Sequence, residues 1–427
     1  MNILKQIAQK ELFKITSLNS ISVILKIIIG LISSSVIARL IGPSGMALVG
    51  NLRNFVASIE GIATLGFTNG IVKYVAEKEE NHEELKRFLS TIFISLFLVI
   101  IILSGLLYFL ANYLNQEVFG SNFQFELIFK AFALALPWYV ASIVLISIIN
   151  GFGEFKKVIY FNIIGNILGL IITVGFIYFY KTFGALLAVI LSPSVLFFVT
   201  LFFIHQKINL FQLISRKSFD FSVLKPMSEY SLMALVSMIF GPMIYLAIRN
   251  SIIETLDINQ AGYWEAITRI SNYYFLFLTT VLTVYFLPKL AKATSNKETK
   301  VVFWNYYKGI IPIFLAGLIL VYFLRNIIIQ ILFTSEFSAV SDLFFWQLLG
   351  DFLKAMSLIL GYQFFAKKLT KAFIITELLS LAILWFSSTY LITVFGIKGI
   401  VMAHSFTFFM YFLVLAIYFR KSLFGKD

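Results

Sequence analysis

Apolar residues along this chain come in long unbroken tracts, separated by short segments that carry most of the charge. A helix that crosses about 30 Å of hydrocarbon at about 1.5 Å per residue needs about 20 mostly apolar residues. Twelve tracts reach that length, at about 16–41, 45–75, 88–114, 125–150, 157–180, 183–206, 226–253, 261–288, 302–324, 340–366, 371–395 and 398–419. Each predicts a membrane-spanning helix, and the longer ones predict tilt or projection beyond the bilayer. An even number of spans puts both chain ends on one side. The expected fold class is an all-α integral membrane protein with 12 transmembrane helices.

Composition agrees with the tracts. Hydrophobic residues make up 60% of the chain and charged ones 13%, with a mean hydropathy of +0.92. A soluble domain carries about 25% charged residues, so the expected solvent is lipid. The formal charge of +13 does not call for nucleic acid, because the basic residues stand singly or in pairs at tract ends. The absence of cysteine excludes disulfide and thiol chemistry. No metal cluster, nucleophile–base pair or nucleotide loop stands out, so neither catalytic residues nor a cofactor is expected. The first sixteen residues lack a short apolar core with a small-residue cleavage site and are read as mature protein.

Basic residues also orient the spans. Of the 34, the tails and one set of loops hold 22, from Lys5, Lys10 and Lys14 through Lys86, Arg87, Lys156 and Lys289 to Arg420 and Lys421. The opposite ends hold only Arg39, Lys181, Arg249, Arg325 and Lys398. This asymmetry over short loops predicts a multi-pass protein of the cytoplasmic membrane with both termini in the cytoplasm. The longest loop, 207–225, is basic and amphipathic and predicts a cytoplasmic linker helix lying on the membrane surface. It divides the chain into an N-terminal lobe, 1–206, and a C-terminal lobe, 226–427, of six spans each.

The halves also share a pattern. At an offset of 214 residues, Tyr108-Phe109-Leu110 recurs as Tyr322-Phe323-Leu324, and Gln116 as Gln330. Phe119-Gly120-Ser121-Asn122-Phe123 likewise recurs as Phe333-Thr334-Ser335-Glu336-Phe337, each time between the third and fourth spans of its half. Such repeats are common in transporters, with the substrate site near the midplane between the halves.

Polar residues inside the spans fall on helical stripes. Asn19, Ser22, Lys26, Gly30 and Ser33 share one face of span 1, and Arg53, Ala57, Glu60 and Thr64 one face of span 2. Span 8 aligns Glu265, Arg269, Asn272 and Thr279, and span 10 places Gln347, Asp351 and Lys354 within two turns. Ionised groups at such depth cost about 2.5–3.5 kcal/mol each even on the mild insertion scale, so they face a cavity or a partner. Counting Lys73, five cations stand against the three carboxylates Glu60, Glu265 and Asp351. A cationic surplus suits phosphate or pyrophosphate. The competing reading is that Arg53–Glu60, Glu265–Arg269 and Asp351–Lys354 only tie helices together, and that Lys73 snorkels to the cytoplasmic surface. His404, inside span 12, is either a proton carrier or a structural core histidine. Glu60, Glu265 and Asp351 are the candidates for coupling to protons or sodium.

The chain resembles the Wzx-type O-antigen translocases, and within them the flippases for lipid III, in the multidrug/oligosaccharidyl-lipid/polysaccharide exporter superfamily. The likeness rests on Gly42-Pro43-Ser44-Gly45, Gly50-Asn51-Leu52-Arg53, the run Asn69–Ala76, Gly262-Tyr263-Trp264, Tyr285-Phe286-Leu287-Pro288 and Trp346–Asp351 with Lys354. It implies a V-shaped pair of six-helix lobes. It also implies translocation of an undecaprenyl-pyrophosphate-linked oligosaccharide to the periplasmic leaflet by alternating access, with membrane lipids and the glycan polymerase machinery as partners. Lys26, Arg53, Lys73, Asp351 and Lys354 match the family pattern, whereas Arg269 departs from it and rests on the span 8 stripe alone. A cation-coupled drug exporter is disfavoured by the surplus of cations, and a membrane glycan polymerase or ligase by the short outer loops. On this reading Lys26→Ala and Arg53→Ala each abolish transport while leaving membrane abundance normal, measured by glycan export beside an immunoblot. Full activity in both variants would sink it.

Overall fold

The structure, a computed structural model, describes residues 2–205 and 214–425, apart from the side chains of 2–17, 203–205 and 228–230. Every regular element among the described residues is helical. Large apolar side chains stand outward all along the helices, Phe109 at 84% exposure and Phe179, Phe323 and Phe386 close behind. Such a surface is stable only against lipid.

Ten helical stretches are long and apolar enough to cross a membrane. Two of them are too long for one passage. Helix α1 (Asn2–Ala63) has 62 residues, about 93 Å at the standard rise. It breaks at Gly42, where φ is 66° and ψ −170°, and Pro43 follows. After α2 (Thr68–Lys78), α3 (His82–Phe109), α4 (Ala111–Phe119) and α5 (Glu126–Gly151), helix α6 (Phe155–His205) breaks at Lys181, with φ 50°. Around that break the chain reverses. Gly165 meets Leu196, Gly169 meets Ser192, and Gly184 lies against the Phe176 carbonyl, where a Cβ would come within 1.9 Å. Length and composition alone therefore give ten stretches. The expected twelve follow only when α1 and α6 are counted as two passes each.

The tract expected at 45–75 is interrupted as well. Leu65 and Gly66 both take positive φ, and Gly66 sits under the Ser231 carbonyl at a distance only glycine tolerates. Lys73 thus belongs to α2, beyond the break, rather than to the helix that carries Arg53 and Glu60.

The chain packs as two compact units, Met1–Ser33 with Leu52–Ile239, and Ser34–Asn51 with Phe240–Asp427. In the first unit α5 is the central helix, packed by α2, α3, α4 and α6, and 67% of its apolar window is buried. The second unit contains the second half of α7 (Leu224–Thr255) and all of α8 (Ile258–Val281). A π-turn, Leu282–Phe286, leads from α8 into α9 (Leu287–Lys292). Then come α10 (Asn296–Gly309), α11 (Ile311–Leu332), a 3-10 segment (Ser335–Leu343), α12 (Phe344–Ala366), α13 (Thr370–Phe395), α14 (Ile397–Tyr418) and α15 (Arg420–Phe424). Here α12 is central, packed by α14, α11 and α9, with 56% of its window buried. Helices α5 and α12 each directly follow the repeated Phe-containing element, so the two halves bury the same position of the pattern.

Of the linker, 206–213 lies outside the described residues. Residues 214–223 form two single 3-10 turns, Arg216–Ser218 and Phe221–Val223, rather than a continuous helix. Serine and aspartate side chains compete here for the backbone. The Asp220 carboxylate accepts from the Ser222 amide, and these Ser222 hydrogen bonds hold its carboxyl below the usual carboxylate range. The Ser215 and Asp220 amides donate to Ser90 and Thr91 at 3.0 Å each, pinning the segment to α3.

Close approach through glycine makes a direct prediction. A Cβ on Gly262 would stand 2.1 Å from the Pro43 carbonyl oxygen, whereas one on Gly317 would meet nothing within 4 Å. Gly262→Ala is expected to destabilise the protein by about 1–3 kcal/mol, and Gly317→Ala to leave it unchanged. Thermal melting of the detergent-solubilised protein compares the two.

Candidate functional site

Helix α8 organises the second unit because it carries polar groups on two opposed faces. At 100° per residue, Glu265, Arg269 and Tyr273 share one face, while Ser271, Tyr274 and Phe275 lie on the other. Each face gathers its own cluster.

On the first face Glu265 is held between two arginines. Arg249 of α7 donates through Nη2 to Glu265 Oε2 at 2.6 Å, and Arg269 through Nε to Oε1 at 2.7 Å. All three side chains are nearly inaccessible, Arg249 at 1%. Arg249 Nη1 reaches Asn51 Oδ1 at 3.2 Å, and Asn51 in turn donates to Asn250 at 2.8 Å. The Arg249 guanidinium also lies over the Trp264 ring, itself stacked on Tyr245 at 5.5 Å and 6°. Arg269 Nη1 reaches Ser34 at 3.4 Å, and Ser34 hydrogen-bonds Tyr273 at 2.7 Å. Gly50 makes room for all this, since a Cβ there would be 2.5 Å from Glu265 Oε2. Two cations on one carboxylate leave an excess positive charge, and Arg249 Nε and Arg269 Nη2 are buried without a hydrogen-bond partner among the described residues.

On the second face Asp351 of α12 is the centre. It bonds His404 Nε2 at 2.9 Å and Ser271 Oγ at 2.6 Å, accepts a short bond from the Tyr274 hydroxyl, and has Gln347 Nε2 at 3.3 Å. Gly350 permits the approach of His404, whose ring would lie 2.3 Å from a Cβ there. One turn on, the Lys354 ammonium sits over the rings of Phe275 and Phe408, 4.6 and 5.3 Å from their centroids. Among the described residues no carboxylate lies within 4 Å of it, and Asp351 and then Glu377 of α13 are within electrostatic reach.

In the first unit Glu60 accepts a 2.7 Å hydrogen bond from the Tyr139 hydroxyl of α5. Lys73 pairs with Glu77 at 3.6 Å and lies over Tyr74. Lys26 and Arg53 are exposed.

Residues 36–342 match the family described as polysaccharide biosynthesis protein. The chain belongs to that family. Along 400 residues it is 27% identical to the Lipid III flippase of Escherichia coli (strain K12) and equally to that of Shigella flexneri, covering 92% of this chain and 94% of theirs. Its fold is that of an inward-facing multidrug resistance MATE family transporter of the MOP superfamily, with a TM-score of 0.77, 14% identity and coverage of 92% and 94%. It is also that of the Lipid II flippase MurJ, at 0.71, 17%, 95% and 89%. These last two likenesses concern fold alone.

Within this member of the polysaccharide biosynthesis family, the structure brings Glu265 and Arg269 into direct contact. It gives Asp351 to His404 rather than to Lys354, and Glu60 to Tyr139 rather than to Arg53. Arg249 corrects the sequence reading, which placed it among the outer loop charges. It lies inside its own tract at 226–253, and that position was the available signal. Tyr139, Tyr274 and Ser34 carried none, because their partners are 79, 77 and 235 residues away. Removing Glu265 would strand two buried guanidinium groups. Glu265→Ala is therefore expected to cost about 3–5 kcal/mol, seen as a large fall in melting temperature and membrane abundance, whereas Lys26→Ala leaves both near wild type.

Proposed function

We propose that this protein is a transporter rather than an enzyme, a flippase that moves an undecaprenyl-pyrophosphate-linked oligosaccharide from the cytoplasmic to the outer leaflet of the bacterial cytoplasmic membrane. The observation that carries the reading is the similarity to the Lipid III flippases along 92% of the chain, in a fold whose membrane helices hold several cations. Arg249 and Arg269 are both held by the one carboxylate of Glu265 and serve as scaffold. Lys26, Arg53 and Lys354 are the cations proposed to meet the pyrophosphate, through charge and, for arginine, bidentate hydrogen bonds. The sugars cross in the polar interior while the lipid tail stays in the bilayer. That division lowers the barrier, because the tail is never transferred to water.

Of the three carboxylates proposed for proton or sodium coupling, Glu265 is the weakest candidate, since two guanidinium groups fix its charge. Asp351 is the strongest. It shares its environment with an imidazole and two hydroxyls, groups that can take up or rearrange protons without leaving the bundle.

Deletion of the gene is expected to accumulate a lipid-linked oligosaccharide in the cytoplasmic leaflet, cleared by a plasmid copy. Its mass spectrum names the cargo. Normal surface glycan with no accumulated precursor would refute the reading. Because the chain has no cysteine, single substitutions report orientation. Asn122→Cys should react with an impermeant maleimide on intact spheroplasts, and Glu80→Cys only after lysis.

A further inference from the structure

The repeated Phe-containing element has no part in the mechanism so far, yet it builds similar features in both units. In the second unit Phe333 and Phe337 are buried and stack at 5.0 Å, and Tyr263 meets Phe337 edge-on at 6.0 Å. With the two phenylalanines inward, Thr334 and Glu336 line a cavity of about 600 Å³ together with Arg39, Ser44, Asn259 and Tyr263. Arg39 is fixed in place by bonds to Ser35 Oγ at 3.1 Å and to the Ile331 carbonyl at 3.0 Å. Glu336 Oε2 stands over Gly42, 3.3 Å from where a Cβ would be. Among the described residues the side chains of Ser44, Asn259, Tyr263 and Glu336 make no hydrogen bond, and Thr334 Oγ1 is buried without a partner.

The first unit has a related but not identical arrangement, in which Phe123 is half-buried and lines the cavity rather than stacking on Phe119. Phe119 packs on Phe125 and Phe129 at 5.4 and 5.6 Å, and Phe123 stacks on Phe125. Asn115 ties the loop by donating to the Phe123 carbonyl at 2.6 Å and accepting from the Phe125 amide at 2.8 Å. A cavity of about 510 Å³ opens beside it, lined by Asn112, Gln116, Ser121 and Gln124. None of these four side chains has a hydrogen-bond partner among the described residues.

We propose that the two cavities are saccharide subsites on the outer face, which receive the sugars of the cargo as they emerge; this rests on the translocation reading and its orientation. The chemistry selects the ligand class. Each lining mixes donors and acceptors that the protein leaves unsatisfied, which matches hydroxyls that both donate and accept. In the second unit one guanidinium and one carboxylate cancel, so a pyrophosphate gains nothing and is repelled by Glu336. An apolar tail would bury polar groups unpaired. Cavities of this size fall in the range that holds small ligands.

The test uses the full chain in nanodiscs and, as probe, the soluble oligosaccharide released by mild acid from the precursor that the deletion strain accumulates. Saturation-transfer NMR should show binding to the wild type. Affinity should fall about tenfold or more in Glu336→Gln with Asn259→Ala, and in Gln116→Ala with Gln124→Ala. It should hold in Asp342→Asn, an exposed partner of Lys398 outside both cavities. Equal binding by all variants, no binding by the wild type, or displacement by millimolar inorganic pyrophosphate would each overturn the proposal. If no precursor accumulates, the translocation reading falls and this one with it. If it accumulates and the cavity variants bind normally, only the saccharide subsites fall.

Discussion

A guanidinium buried among apolar helices costs several kcal/mol unless a carboxylate meets it, and the second unit holds two of them around Glu265. Much of the local architecture follows from that requirement. Both oxygens of Glu265 must be reached from different helices, so α7 and α8 lie side by side with the Ser34–Asn51 segment of α1 closing over them. Asn51 and Ser34 take up further guanidinium hydrogens, and Gly50 lets their helix come close enough to do so. A one-residue slip of α8 would turn Glu265 and Arg269 together by 100° and leave Arg249 unpaired. Charge pairing thereby adds to apolar packing in fixing the register of α8.

Because α8 uses opposite faces for its two clusters, packing at one is transmitted to the other by a rigid element. Glu265 and Arg269 are spent on structure, and the cost of their burial is offset within the cluster. Asp351 has a different character. Its partners are an imidazole, two hydroxyls and an amide, which stabilise a carboxylate without cancelling its charge. Lys354, one turn further, is held by aromatic faces rather than by a carboxylate within bonding distance. The unit thus holds the Glu265 cluster with its two guanidinium groups apart from Asp351 and Lys354, which form no ion pair with each other.

The stretches that carry the family likeness take on physical meaning here. Gly42 makes the turn in α1, Gly50 admits Glu265, Gly262 receives the Pro43 carbonyl, and Gly350 admits His404. Each is a place where two backbones or a backbone and a charged group approach more closely than a side chain allows. The internal repeat follows a related pattern, with Phe119, Phe333 and Phe337 buried while Ser121, Thr334 and Glu336 line a polar cavity in their own unit.

Membrane class and the apolar helices long enough to span a bilayer were legible in the sequence. They depend on periodicity and on the transfer cost of each residue, which are local quantities. The break at Leu65 and Gly66 was less so, because an apolar tract gives no sign of where its backbone turns. Partner choice was legible only for the Glu265–Arg269 pair, four residues apart on one helix. Glu265 shares its charge with Arg249 sixteen residues away on another helix, Asp351 with His404 53 residues on, and Glu60 its hydrogen bond with Tyr139. Sequence determined which groups had to be paired inside the membrane. Only the tertiary structure decided with whom, because a short-range ionic or hydrogen bond depends on which helices are neighbours, and the hydrophobic pattern that makes every span alike does not encode that order.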